Sequence, residues 1–150
     1  MISLHELIPV LQVAIGPVIL ISGVGLLLLT MTNRLGRTID RARQLAGELQ
    51  KPAHQNRDHM LEQVTIIYRR ARLLRMSIGL AVFSVLLAAL LIVTLFLTAL
   101  LRWENGLAVS LIFIAGMTSL MLALVFFLLD IHLALVALRL EIKQVRPDLD

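Results

Sequence analysis

The chain has 150 residues, 59% of them hydrophobic, with a mean hydropathy of +0.90 and a formal net charge of +4. An ordinary soluble domain is excluded, because such domains are nearer half apolar and spread their apolar residues along the chain, whereas here these residues form three blocks. Cysteine is absent, which excludes disulfides and thiolate metal sites. The blocks predict an all-α membrane protein, a single membrane domain over 1–150 with spans at 8–31, 76–101 and 107–134.

The first block contains Gly16-Pro17. Because no basic n-region precedes this block, we expect a retained membrane helix and not a signal peptide. Small and polar residues recur near one helical face at spacings of three, four and seven: Gln12, Gly16, Gly23, Thr30 and Asn33. Such a face is typical of tight helix–helix packing. The alternative is the wall of a pore or cavity in an oligomer. Packing is favoured over it, because small-residue interfaces are the commoner use.

The first helix is predicted to leave the membrane within Thr30 to Asp40, where the apolar run turns basic without a loop signal. Residues 33–75 then read as an antiparallel helical hairpin with its turn at 51–57, where Pro52 stops the outgoing helix. Residues 34–75 carry ten Lys or Arg against four acids. Because basic loops stay inside, the hairpin is predicted to be cytoplasmic and the N-terminus outside, in the inner (plasma) membrane.

The second and third blocks are joined by a short turn at 102–106, where Trp103 stands as an interfacial aromatic. The third block ends in a charged tail, 141–150, predicted to be cytoplasmic. Where the hairpin returns to the membrane, Arg69, Arg70 and Arg75 are predicted to meet lipid phosphates through long stems that snorkel. The bilayer, including anionic lipid, is thus an expected partner.

Asp130 is the one acid embedded in an apolar block. It lies about 34 Å along its helix from Leu107, near the cytoplasmic interface. An acid at that level has basic partners available, so we predict a structural ion pair in preference to a cation site or proton relay. Arg37 is the first choice of partner, followed by Arg34 and Arg72.

No sequence motif indicates an enzyme, since no phosphate loop, HExxH motif or Ser/His/Asp set appears. His54 and His59 are spaced poorly for a metal, and His132 points to a different helical face from Asp130. We expect no enzyme activity, no cofactor, no metal and no nucleic-acid partner.

The segments Ile15 to Val18, Ser22-Gly23, Thr32 to Leu35 and Arg37 to Arg41 resemble a prokaryotic family of small membrane proteins catalogued as a domain of unknown function. The resemblance covers most of the chain and is strongest at 15–43. It implies three spans and a charged helical cytoplasmic segment after the first span. It implies no activity and no catalytic residues.

Two functions remain open on this sequence. One is a homo-oligomer with an ion-conducting pore between subunits, lined by the first helix. The other is a membrane scaffold or accessory subunit whose basic cytoplasmic hairpin docks a protein partner or anionic lipid. The pore is placed slightly ahead because of the small polar face of the first helix.

Overall fold

The computed structural model describes residues 4–49, 57–101 and 106–145, and each of these lies in one of three helices. They are α1 (Leu4–Leu49), α2 (Arg57–Leu101) and α3 (Gly106–Val145). All three are long and apolar enough to cross a membrane. The protein is therefore an all-helical, multi-pass integral membrane protein, as the three apolar blocks predict. Trp103, His54 and residues 146–150 of the tail lie outside the described residues.

Helix α1 runs unbroken for 46 residues and passes through the apolar-to-basic boundary at Thr30 to Asp40. The boundary contains no proline, and Gly36 is its one glycine. Pro9 and Pro17 lie inside the helix before the boundary. At about 1.5 Å per residue, 46 residues extend about 69 Å, more than twice a hydrocarbon core of about 30 Å. The prediction of one continuous helix across the boundary is confirmed.

The chain forms two compact units. The first, which we call the apolar unit, contains α1 up to Leu29 together with Gly79–Ala123. The second, which we call the arginine unit, contains Thr30–Ile78 and α3 from Leu124 onward. Every arginine among the described residues lies in the arginine unit, so the two units differ sharply in charge.

The apolar unit is packed through small residues. Val24, Ala81 and Ala123, one from each helix, form its buried core. Ser84 Oγ of α2 donates a 2.9 Å hydrogen bond to the backbone oxygen of Gly116, and Ser119 Oγ of α3 donates one of 2.8 Å to the backbone oxygen of Leu80. Small side chains let two helices approach closely, and their hydroxyl groups then find backbone acceptors across the contact.

The buried positions of each helix follow a regular spacing. Those of α2 alternate three and four residues apart: Leu74, Ser77, Ala81, Ser84, Ala88 and Leu91. Four buried positions of α1 recur every seven residues: Val24, Met31, Thr38 and Leu45. This mean period of 3.5 residues keeps one narrow stripe of a helix against its neighbours. We call each stripe the buried seam of its helix.

Candidate functional site

Asp130 lies at the centre of the arginine unit with no part of its side chain exposed. Arg34 of α1 donates from Nε to Oδ2 at 2.8 Å, and Arg70 of α2 donates from Nε to Oδ1 at 3.3 Å. Each carboxylate oxygen therefore has its own guanidinium group. The three residues, which we call the charge triad, join all three helices of this unit through one carboxylate.

The three residues of the charge triad lie close together because each continues the buried seam of its helix. Arg34 lies three residues after buried Met31 and four before buried Thr38, and Arg70 lies four before buried Leu74. Asp130 lies seven residues after buried Ala123. All three are thus at positions that the three-and-four spacing directs toward the neighbouring helices.

Neighbouring side chains hold Arg34 in place. Its guanidinium carbon lies 5.7 Å from the ring centroid of Phe127, within the range of a cation–π interaction. Phe127 precedes Asp130 by three residues and so shares its side of α3. Thr38 Oγ1 donates to the backbone oxygen of Arg34 at 2.9 Å, which satisfies the hydroxyl of a buried threonine. Arg34 is therefore fixed by a carboxylate and an aromatic face at once.

The structure changes the predicted set of partners for Asp130. Of the three predicted arginines, Arg34 contacts it, whereas Arg37 and Arg72 are exposed and form no ion pair with it among the described residues. Arg70, predicted to meet lipid phosphates, is the second partner instead. Its position on the α2 seam is the cause, since two residues of helix turn Arg72 about 200° away from Arg70.

The remaining basic residues predicted at the membrane surface are exposed. Arg69 and Arg75 both face outward, as does His132. The part of the chain that the structure describes holds no group of three His, Cys, Asp or Glu side chains placed to bind a metal ion.

The predicted small polar face of α1 is exposed along its length: Gln12, Gly16, Gly23, Thr30 and Asn33. A Cβ atom added at Gly16 or Gly23 would meet no heavy atom within 4 Å in the described chain. Gly116 of α3 differs, because an added Cβ would lie 3.4 Å from Leu87 Cβ. The close approach between helices within one chain therefore uses Gly116 and not the glycines of α1.

A cleft of about 310 Å³ lies beside the charge triad in the arginine unit. Its walls carry four arginines and two other side chains: Arg34, Arg37, Thr38 and Arg41 from α1, and Ile67 and Arg70 from α2. We call it the arginine cleft. A second cavity, of about 290 Å³, lies in the apolar unit among apolar side chains such as Leu91, Phe113 and Met117. Its lining offers no charged group.

A family model of proteins of unknown function, DUF2721, matches residues 14–140, which is most of the chain. The chain belongs to the DUF2721 family. The resemblance drawn from Ile15 to Arg41 is thus confirmed as one to a family of unknown function. The region matched by DUF2721 includes α1 from Ala14, all of α2 and the charge triad. No curated protein and no solved structure matches the chain.

Proposed function

We propose that this DUF2721 protein is a homo-oligomer in which α1 forms the contact between subunits and lines an ion-conducting path between them. The exposed small polar face of α1 is the observation that carries the proposal. A Cβ added at Gly23 would meet no heavy atom within 4 Å in the described chain, which leaves this position open to a second copy. Gly16 differs, because it also lines the cavity within the apolar unit. Three helices enclose little volume, and a path must therefore lie between chains.

The physical argument is the cost of a polar group facing lipid. The Gln12 side-chain amide is exposed on a helix of membrane-spanning character. An amide moved from water to hydrocarbon without a hydrogen bond costs about 4–8 kcal/mol. A neighbouring subunit or a water-filled path between subunits would remove this cost, and both require an oligomer.

The charge triad bears on which ions such a path would favour. Asp130 neutralises part of the charge of Arg34 and Arg70 and is itself fully buried, so it faces no path. Arg37 is exposed on α1 and, within the described residues, is not in an ion pair. A ring of such arginines around an axis would favour anions over cations.

Cysteine cross-linking tests the interface, because the chain has no cysteine of its own. We expect Gly23→Cys to give a disulfide-linked dimer when membranes are oxidised, since a Cβ at this position meets no obstacle and disulfides need Cα atoms within about 7 Å. Val18→Cys is the matched control: Val18 is exposed on the same helix but lies about 140° around it from Gly23. Equal cross-linking of both variants, or of neither, would contradict this interface.

Conductance of the pure protein in planar bilayers tests the path separately. Anion-selective single-channel currents are expected from the wild type. If Gly23→Cys cross-links but no current appears under voltage or membrane tension, the oligomer is supported and the ion-conducting path is contradicted. That result would favour the second candidate, a scaffold whose exposed arginines dock a protein partner.

The orientation belongs to the same proposal. The arginine unit carries the basic residues, so we propose that residues 33–75 form a cytoplasmic hairpin, with the C-terminus inside and the N-terminus outside the inner membrane. A C-terminal fluorescent protein that folds only in the cytoplasm should be bright, and a C-terminal alkaline phosphatase, active only outside it, should be silent. An active phosphatase would reverse the topology.

A further inference from the structure

We propose that the arginine cleft is a binding site for a phosphate group, carried by an anionic lipid or free in solution. The cleft lies within one chain, so the proposal does not depend on the oligomer proposed above. It differs from general attraction of basic residues to lipid, because it assigns the contact to four named arginines: Arg34, Arg37, Arg41 and Arg70.

The shape of the cleft follows from helical spacing. Arg34, Arg37 and Arg41 recur at three and four residues, which places them along one side of α1, and Arg70 faces them from α2. The cleft of about 310 Å³ has room for a phosphate group with several waters, each of which takes about 30 Å³ in bulk. The spacing thus yields a concave basic site and not merely a charged surface.

The charge of the cleft is only partly balanced. Among the described side chains, the four guanidinium groups of the cleft have one carboxylate beside them, that of Asp130. This carboxylate is fully buried and contacts Arg34 and Arg70. Arg37 and Arg41 are exposed and, among the residues described, have no acid within ion-pair distance. Asp40, also exposed on α1, does not line the cleft. An anionic ligand would supply the missing negative charge.

The two arginines of the charge triad keep hydrogen-bond donors that can bind a phosphate group. Arg34 and Arg70 both contact Asp130 through Nε, so the terminal nitrogens of each guanidinium keep their hydrogen-bond donors. Asp130 and Phe127 fix Arg34, which reduces the entropy lost when it binds a ligand. Arg37 and Arg41 can then close on the ligand from the solvent side. Planar guanidinium forks suit phosphate oxygens, which accept two parallel hydrogen bonds.

The experiment uses the full-length protein in detergent and has two arms. In the first, native mass spectrometry measures binding of phosphatidic acid, with phosphatidylcholine as the comparison. In the second, thermal unfolding is followed while inorganic phosphate replaces chloride at constant ionic strength. The first arm reports a lipid as the source of the phosphate group, and the second reports a free one.

The test variant is Arg37→Gln with Arg41→Gln, and the matched control is Arg43→Gln with Arg72→Gln. Both pairs are exposed, and each removes two charges, but only the first pair lines the cleft. We expect the test variant to bind phosphatidic acid about tenfold more weakly and the control to change less than about threefold. A third variant, Arg37→Lys with Arg41→Lys, keeps the charge and should fall between them, because it loses the planar forks.

Each outcome either supports or overturns the proposed phosphate site. Selective loss of phosphatidic acid binding supports a lipid-phosphate site. Stabilisation by inorganic phosphate that is absent from the test variant, with equal lipid binding by all variants, supports a site for free phosphate. Equal losses in the test and control pairs overturn the proposal in favour of diffuse attraction, and so does a wild type that responds to neither ligand. Unchanged melting without ligand shows that the test variant folds. If the test variant does not fold, the ligand binding of the Arg37→Lys with Arg41→Lys variant is compared with that of the control pair instead.

Discussion

Replacing Arg34 and Arg70 together by Met should lower the stability of the protein by about 3–5 kcal/mol, because it leaves the carboxylate of Asp130 buried without a charged partner. The side chain of Asp130 is 0% exposed, so it cannot turn to water without opening the arginine unit. Unfolding in detergent, followed by circular dichroism during titration with a denaturing detergent, measures the change.

Adding Asp130→Leu to that double variant should restore most of the lost stability. A buried ion pair replaced as a whole by apolar side chains of similar size is often neutral or stabilising, whereas removal of one side only is costly. Recovery in the triple variant would therefore show that the loss came from the stranded carboxylate and not from lost packing of the two stems.

Arg37→Met with Arg72→Met is the matched control for this series. It removes the same charge from the same two helices, but both side chains are exposed and neither contacts Asp130. In detergent free of anionic lipid, we expect a change below about 0.5 kcal/mol, as for other surface substitutions. A control loss as large as that of Arg34 with Arg70 would contradict the charge triad.

Gly116→Val should lower stability by about 1–3 kcal/mol through overpacking. A Cβ added at Gly116 would already lie 3.4 Å from Leu87 Cβ and 3.9 Å from the backbone oxygen of Ser84. Alanine fits within these contacts, but the two methyl groups of valine need space that α2 occupies. Any shift of α3 would also stretch the 2.9 Å hydrogen bond from Ser84 Oγ to Gly116 O.

Two comparisons isolate the steric cause of the Gly116 effect. Gly116→Ala should leave stability unchanged or raise it by up to about 1 kcal/mol, because alanine favours helix over glycine. Gly79→Val should cost little, since a Cβ at Gly79 meets nothing within 4 Å in the described chain. If the alanine variant is as unstable as the valine variant, the contact with Leu87 is not what limits the side chain at this position.

The α1 prediction succeeded because its signals are local. The absence of a turn signal between Leu29 and Asp40 predicts one helix through the boundary, and α1 is continuous there. The need of Asp130 for an arginine also follows from local sequence, because an acid among apolar residues cannot remain charged without a partner. Among the predicted partners, Arg34 proved to be one.

Arg70 was missed although a signal for it exists. The alternating spacing of Leu74, Ser77, Ala81 and Ser84 continues backward to position 70 and passes over Arg72. In an apolar block, serine and alanine differ little in hydrophobicity from their neighbours. The three-and-four spacing of the buried positions is therefore hard to recognise before the structure shows which residues are buried. The arginine cleft was missed for the same reason, since it needs the seams of α1 and α2 to face each other.

The sequence by itself determined the class of protein, its three apolar helices, the boundary at Thr30 to Asp40 and the need of Asp130 for a basic partner. These depend on hydrophobicity and on propensities that act within a few residues. Only the tertiary structure decided that Arg34 and Arg70, and not Arg37 and Arg72, fill that need. The physical reason is rotational: each residue turns a helix by about 100°, so neighbours in sequence face different partners, and the packing of the seams selects which side points inward.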